Sequence, residues 1–263
     1  MNPPYTRSFH SHLLGIKDPT LCVSPAQVAS YCPFSGLTLT TWLDEYGDKF
    51  IDPTCIIVHM AGCFSTSSSS SSSATGSSSR GTHASNNTAQ FSASTSYGIY
   101  HGPFSPYNFA GVVSACQQQS KPHADLYAAG MSLLQLHRVV LSPVSQAPRV
   151  QNIVLVTDSN YLVNCLTQSV YSWNLNGYRN AKGKEVANAS VLKWVEGLVV
   201  RLENHGVGVR FWKIDKKENA EAMNVAKKVL EQEKLRESVF RVQLENIVRN
   251  PDHHSPPEVC QLV

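Results

Sequence analysis

Two spacings of apolar residues run along the chain, and together they predict five strands and four helices. Short runs rich in β-branched residues are typical of strands and lie at Cys55–Met60, Ser96–His101, Asn108–Ser114, Val150–Thr157 and Val207–Trp212. Apolar residues three and four positions apart are typical of helices and lie in Ala124–Val140, Asn160–Gln168, Ala189–His205 and Glu218–Val248. Three strands followed by alternating helices and strands predict a mixed α/β sheet with helices on both faces.

The segments outside this pattern are predicted to carry less structure. Prolines recur through residues 1–50, which we interpret as a poorly ordered extension with a short helix near Leu39–Tyr46. Residues 65–95 are rich in serine, with seven in a row at Ser67–Ser73. Such a tract buries too little apolar surface to offset the entropy lost on ordering. We predict a disordered loop inserted in a hairpin; the alternative, a linker between domains, would leave a lone strand behind.

The domain organisation follows from these boundaries. Residues 51–250 are predicted to form one α/β domain, in which residues 231–250 extend the last helix. Residues 251–263 are predicted to be a flexible tail.

Composition narrows the class of protein further. No apolar run approaches the ~20 residues of a membrane-spanning helix, and Met1–Thr20 lacks the apolar core of a secretory signal. The 7 cysteines include no CxxC pair, so neither a zinc site nor a disulfide framework is predicted. We expect an intracellular, reduced protein in the nucleus or cytoplasm, with mitochondria as a weaker alternative and no membrane partner.

Acidic residues are unevenly distributed along the chain. None occurs between Asp52 and Asp125, whereas residues 121–214 carry 10 basic and 5 acidic residues. The strongest candidate for chemistry is Thr157-Asp158-Ser159, because it follows a buried strand at the sheet edge where α/β proteins place their sites. On these three residues alone, a helix N-cap is the favoured explanation.

The longer context changes that balance, because the stretch from Thr157 to Asn188 resembles type 1 ribonuclease H. The matching residues are Thr157-Asp158-Ser159, Trp173, Asn176-Gly177-Tyr178, Gly183-Lys184 and Asn188. Further similar segments are Cys55–Cys63, Gly102–Gly111, His123–Leu126 and Lys216–Leu230. The resemblance covers residues 55–230 and implies the RNase H-like mixed five-stranded sheet, with three antiparallel strands followed by parallel ones.

The resemblance also implies four carboxylates that hold two Mg²⁺ ions, one activating water and one stabilising the leaving oxygen. Two of these positions are acidic here: Asp158, and Asp125 where the family usually has Glu. The other two fall on Ala61 and Met223. Asp158 and Asp125 are therefore the predicted catalytic and metal-binding residues, with one weak Mg²⁺ site at most, which Mn²⁺ could also occupy.

Neighbouring polar residues do not restore the missing ligands. His59 shares a strand face with Ala61, but imidazole is a poor Mg²⁺ ligand. Asn219 precedes Met223 by one turn and could offer an amide oxygen, although a place at the helix start suits it better. Glu221 and Asn224 point elsewhere on the helix.

Residues that would contact nucleic acid are retained in part. By resemblance, Ser120 and Asn188 match a phosphate pocket, and Trp173 matches an aromatic residue that packs against the DNA strand. Lys121 and Pro122 fall where the family reads ribose 2′-hydroxyls, and Pro122 has no donor. A basic cluster that suits phosphate contact, or is merely a solvated loop, comprises Arg179, Lys182 and Lys184.

These residues predict a ribonuclease H-type domain that binds RNA–DNA hybrid or a related duplex, with hydrolysis lost or strongly reduced. The alternative is an active Mg²⁺-dependent ribonuclease H that cleaves the RNA strand of hybrids. We expect a monomer whose partner is nucleic acid. The last helix could also dock a protein or pack within the chain, through Val229, Val239, Leu244, Ile247 and Val248.

Overall fold

The computed structural model describes residues 7–9, 23–43, 46, 48–65, 94–141 and 150–249, with the backbone alone at Leu43 and at 244–249. Within these residues, seven strands form one sheet: β1 (Ala29–Cys32), β2 (Leu37–Leu43), β3 (Lys49–Phe64), β4 (Thr95–Tyr100), β5 (Phe109–Val112), β6 (Asn152–Thr157) and β7 (Gly208–Lys213). The helices are α1 (Pro25–Val28), α2 (Lys121–Val140), α3 (Asn160–Asn164), α4 (Val170–Asn176), α5 (Ala189–Asn204) and α6 (Ala220–Arg249). A π-helical turn, Cys165–Ser169, joins α3 to α4.

The predicted five-stranded core is confirmed and centres on β3. Strands β3, β4 and β5 pair antiparallel, whereas β6 runs parallel to β3 and β7 runs parallel to β6. Ile56, Ile57 and Val58 of β3 are all fully buried, so both faces of this strand are covered. A continuous apolar run is the sequence pattern of such a central strand.

Helices cover both faces of the sheet, as predicted. Gly62 of β3 faces α2, where an added Cβ would lie 2.5 Å from the backbone of Ala124. Gly98 of β4 faces α6, where an added Cβ would collide with the carbonyl oxygen of Ala222. Because these two strand positions have no side chain, both helices approach the sheet closely. This close approach fixes the positions of the α2 and α6 residues that contribute to the candidate site.

Residues 23–43 correct the prediction for the N-terminal 50 residues. Of the segment predicted as a short helix near Leu39–Tyr46, residues 39–43 instead belong to β2, which pairs antiparallel with the first half of β3, and β1 pairs with β2. The sheet therefore has two strands beyond the predicted five. Leu37 and Leu39 alternate with threonines, which is a strand period and a β-branched composition, so the helix prediction was wrong.

The short segment Arg7–Phe9 also attaches to the sheet. The Phe9 N–H donates to the Phe211 carbonyl at 3.1 Å, and the Phe211 N–H donates to the Arg7 carbonyl at 2.8 Å. The Arg7 side chain is 3% exposed and forms ion pairs with Glu196 at 2.6 Å and Glu203 at 2.9 Å. A poorly ordered extension does not describe these residues either.

The ends of the serine-rich tract meet at one edge of the sheet. The Ser65 N–H donates to the Ser94 carbonyl at 2.8 Å, directly after β3 and before β4. The tract therefore connects two neighbouring strands of one sheet. Residues 66–93, for which disorder was predicted, lie outside the described residues, as does the predicted flexible tail 251–263.

The last helix begins two residues later than predicted, at Ala220, and reaches Arg249.

Within the described ranges, no helix combines the length and apolar character needed to cross a membrane.

Candidate functional site

The four positions implied by the resemblance come together beside the end of β6, and we call Ala61, Asp125, Asp158 and Met223 the acid site. Asp125 reaches the sheet from α2, because its Oδ1 accepts the Gly62 N–H at 2.9 Å. Asp158 follows β6 and is joined to β3 by Asn219, whose Nδ2 donates to Asp158 Oδ1 at 2.8 Å and to the Met60 carbonyl at 3.0 Å.

The carboxylate of Asp125 is buried, with 3% of its side chain exposed, and is paired inside the protein. Lys121 lies one turn earlier on α2 and places its Nζ 2.6 Å from Asp125 Oδ1. Burial raises the pKa of Asp125 above its ordinary value, while the Lys121 ammonium, its hydrogen bond and the Gly62 N–H act in the opposite direction. Lys121, predicted at a ribose-reading position, thus acts as the counter-charge of the acid site.

Asp158 is not the N-cap of the following helix. Ser159 has that role, because its Oγ accepts the Leu162 N–H at 3.3 Å. The helix-cap explanation for Thr157-Asp158-Ser159 therefore applies to Ser159 alone. The carboxylate of Asp158 is left for Asn219, the residue immediately before α6.

The two remaining positions of the acid site are apolar and pack against each other. Ala61 is 1% exposed and Met223 is 8% exposed, and both belong to a buried cluster with Ala222. Cys63 and Tyr100 pack against this cluster. Neither the methyl group of alanine nor the thioether of methionine is a ligand for a hard cation.

The acid site does not fit a pair of Mg²⁺ ions. Across the described ranges, no group of three or more His, Cys, Asp or Glu side chains is arranged to hold a metal. The two carboxylates that remain each have an oxygen engaged, one by an ammonium and one by an amide. The Lys121 ammonium, 2.6 Å from Asp125 Oδ1, also brings positive charge to the acid site.

Ser120 and Asn188 meet at a second place, where the N-termini of α2 and α5 converge. Ser120 caps α2 by accepting the His123 N–H at 3.3 Å, and Asn188 directly precedes α5. The imidazole of His123 joins them, with its Nδ1 3.1 Å from Asn188 Oδ1. We call Ser120, His123 and Asn188 the helix-end site.

The helix-end site suits an anion. Two helix N-termini converge on it, and each carries a partial positive charge. Neither helix has an acidic residue in its first turn. Phosphate groups commonly bind at such places.

The other predicted contact residues lie on α4 and on the loop that joins α4 to α5. Trp173 is half-buried on α4 and its ring lies 6.2 Å from that of Tyr178. Arg179 donates to the Gly183 carbonyl at 2.7 Å, so its guanidinium helps to hold its own loop. Lys182 and Lys184 are exposed, and Asn180 Oδ1 accepts the backbone N–H of both. The interpretation of this basic cluster as a solvated loop therefore agrees in part with Arg179, whose guanidinium bonds within its own loop.

Two side-chain contacts within these sites were not predicted from the sequence. The ion pair between Lys121 and Asp125 has the i,i+4 spacing typical of helices, which was the available signal. The bond between His123 and Asn188 joins residues 65 positions apart, and no local pattern indicates it.

The fold and the site define a ribonuclease H-like α/β domain with an incomplete set of acidic residues. The sequence pattern of the RNase H family matches residues 82–231, more than half of the chain. The chain belongs to the RNase H family.

Individual relatives cover smaller parts. Ribonuclease H1 of Mus musculus is 31% identical over 91 residues, which are 35% of this chain and 28% of that protein. Ribonuclease H of Roseobacter denitrificans is 33% identical over 78 residues, 24% of this chain and 52% of that protein. The matched region thus spans from about a quarter to about half of these relatives.

Among solved structures, a foamy viral protease–reverse transcriptase in complex with RNA/DNA hybrid is similar at a TM-score of 0.43 and 14% identity. The similarity covers 72% of this chain and 22% of that one.

Proposed function

We propose that this domain binds nucleic acid, RNA–DNA hybrid or a related duplex, and that its hydrolytic activity is lost or strongly reduced. The observation that carries the proposal is the state of the acid site. Ala61 and Met223 form apolar contacts, and Lys121 and Asn219 each engage one oxygen of a remaining carboxylate. Metal ions supply much of the transition-state stabilisation in two-metal hydrolysis, so these losses should cost orders of magnitude in rate.

Binding is supported by the residues that the acid site does not use. The helix-end site offers two helix N-termini, and the exposed ammonium groups of Lys182 and Lys184 add positive charge on a neighbouring loop. Such contacts neutralise phosphates without any metal.

An active ribonuclease H is the second candidate, because Asp125 and Asp158 still lie at one site. Any Mg²⁺ or Mn²⁺ would have these two carboxylates as its acidic ligands and would compete with Lys121 for Asp125 and with Asn219 for Asp158. We therefore expect weak metal binding at most.

A cleavage assay on labelled RNA–DNA hybrid with Mg²⁺ or Mn²⁺ tests the proposal. We expect no cleavage by the wild-type protein and measurable cleavage by the double variant Ala61→Asp with Met223→Asp. Asp158→Asn in that double variant should abolish the regained activity. Wild-type cleavage that Asp158→Asn removes would overturn the proposal.

Thermal unfolding provides a readout that does not depend on activity. Two carboxylates added in the buried cluster should destabilise the metal-free double variant, and Mg²⁺ should raise its melting temperature. The wild-type melting temperature should be insensitive to Mg²⁺. A wild-type increase comparable to that of the double variant would show that the acid site still binds metal.

Protein binding at α6 stays a prediction. Of the residues named for it, Val229 is half-buried and Val239 is 49% exposed, while 244–249 lie outside the described side chains. Leu235, Phe240 and Val242 on the same helix are also exposed.

A further inference from the structure

A cavity of about 510 Å³ lies between the N-terminal halves of α2 and α5 and adjoins the helix-end site. It is within the range of about 300–1,000 Å³ that small-molecule sites usually have. His123 and Asn188 form part of its wall, so the cavity is continuous with the residues proposed to hold phosphate.

Aromatic side chains form another part of the wall. The rings of Tyr127 and Trp194 lie 5.4 Å apart at 45°, and His123 stacks on Tyr127 at 6.2 Å and 25°. Trp194 is held by close packing, because its ring lies where a Cβ of Gly130 would stand. Tyr127 and Trp194 are only half-buried, so part of each ring remains available for contact.

The hydrogen-bond chain behind the cavity orients the imidazole ring of His123. The Tyr161 hydroxyl donates to the Ala187 carbonyl at 3.3 Å and accepts Asn188 Nδ2 at 3.2 Å. Asn188 Oδ1 therefore faces His123 Nδ1, which must carry the proton because an amide oxygen only accepts. The buried Nε2 has no hydrogen-bond partner among the described residues.

Charge at the cavity disfavours an anion inside it. Glu185 lines the cavity, and its carboxylate lies 3.5 Å from the ammonium of the exposed Lys193. Gln117 and Gln118 line it as well and provide neutral donors and acceptors. The wall thus suits a neutral planar ring that has hydrogen-bonding groups at its edge.

We propose that this cavity binds a single unpaired nucleobase of a strand whose phosphate lies at the helix-end site. The inference rests on the proposed nucleic-acid binding and assigns a specific ligand to the surface beside it. Bases stack on aromatic side chains without regard to sequence, and Gln117 and Gln118 offer donors and acceptors to the edge of the base. A free nucleotide has the same chemistry, so the test must separate a strand from a monomer.

The test compares three ligands by fluorescence anisotropy. One is a short RNA–DNA hybrid with one unpaired terminal nucleotide, the second is the same hybrid with an abasic terminal residue, and the third is a free mononucleotide. We expect the base-bearing hybrid to bind about ten- to a hundredfold more tightly than the abasic one. The mononucleotide should bind far more weakly than either hybrid.

Variants then locate the effect. Trp194→Ala and Tyr127→Leu should remove the preference for the base and leave the affinity for the abasic hybrid unchanged. Because Trp194→Ala could disturb packing at Gly130, Trp194→Phe serves as the matched variant and should keep most of the preference. Quenching of 2-aminopurine at the unpaired position should accompany binding to wild type and disappear in Trp194→Ala.

The outcomes distinguish this inference from the proposed function. Equal affinity for the base-bearing and abasic hybrids would overturn the nucleobase site while leaving nucleic-acid binding intact. Mononucleotide binding as tight as that of the hybrid would overturn its assignment to a strand. Absence of binding to every ligand would overturn the proposed function itself.

Discussion

The acid site and the helix-end site lie on the same end of α2, and they differ in what their polar groups face. At the acid site, Asp125 and Asp158 point to donors supplied by Lys121 and Asn219. At the helix-end site, the side chains bond to one another, yet the N-termini of α2 and α5 keep their positive ends beside an open cavity. At one site the carboxylates face donors of the chain itself, and the other site adjoins a cavity.

The fold is intact although two of the four acid-site positions are apolar. The resemblance implies four acids in the catalytic arrangement, and the proposed loss of hydrolysis rests on Ala61 and Met223 in two of those places. The proposed contact surface depends on the ends of α2 and α5, which persist for as long as these helices keep their positions. The proposed separation of fold and activity has this physical basis.

The largest expected effect comes from separating α2 from the sheet. Gly62→Ala would place a Cβ 2.5 Å from backbone atoms of Ala124 and Asp125, which cannot move without shifting α2. We expect a loss of about 3 kcal/mol in the free energy of unfolding, measured in urea.

Gly197→Ala is the matched control, because Gly197 lies in α5 and a Cβ there meets nothing within 4 Å. This variant should be more stable than wild type by about 0.5–1 kcal/mol. A Gly62→Ala protein as stable as wild type would contradict the close approach on which both sites depend.

The second effect tests which site holds nucleic acid. Asn188→Ala removes the bonds to His123 and Tyr161, and we expect about tenfold weaker binding of RNA–DNA hybrid by anisotropy. Asp158→Asn should leave the affinity unchanged, as should Asn224→Ala on the exposed side of α6. If Asp158→Asn weakened binding more than Asn188→Ala, the comparison between the two sites would be reversed.

A smaller effect concerns pH and the counter-charge of the acid site. Because burial raises the pKa of Asp125 above its ordinary value of 3.8, the folded protein holds more protons at this group than the unfolded chain. Stability from this group therefore falls as pH rises from the unfolded to the folded pKa. Lys121→Met should raise the pKa of Asp125 further and extend the decrease in stability to higher pH. It should lower the free energy of unfolding by about 1 kcal/mol at pH 7.

Thermal unfolding of wild type, Lys121→Met and the double variant Lys121→Met with Asp125→Asn, followed from pH 4 to pH 8, checks this prediction. The double variant should lose the added pH dependence, since its amide does not titrate, and Lys217→Met should behave as wild type. Identical pH profiles for wild type and Lys121→Met would show that Lys121 is not the counter-charge.

The smallest expected effect is a change in salt dependence. Lys182→Ala removes one exposed ammonium group from the loop before α5. The slope of log affinity against log salt concentration should become shallower by about one, because one fewer phosphate is neutralised. The loss of affinity should be similar for all nucleic-acid sequences. Lys227→Ala on α6 is the control, and an equal change in that variant would assign the effect to overall charge.

The sequence alone determined the central strands, the family and the loss of two acids. Ile56–Val58 and Ile153–Val156 are continuous apolar runs, and such runs indicate buried strands wherever they occur. The identities of Ala61 and Met223 exclude hard metal ligands at their positions, because that property belongs to the side chain itself. These conclusions needed no knowledge of neighbours in space.

Only the tertiary structure decided how the remaining polar groups are satisfied. Asn219 meets the Met60 carbonyl across 159 residues, and Arg7 meets Glu196 across 189. The strands β1 and β2 became part of the sheet because β3 is long enough to pair with β2 along its first half and with β4 along its second. Such contacts depend on which strand edges and helix faces the whole fold brings together. No local sequence pattern encodes a contact between residues so far apart in the chain.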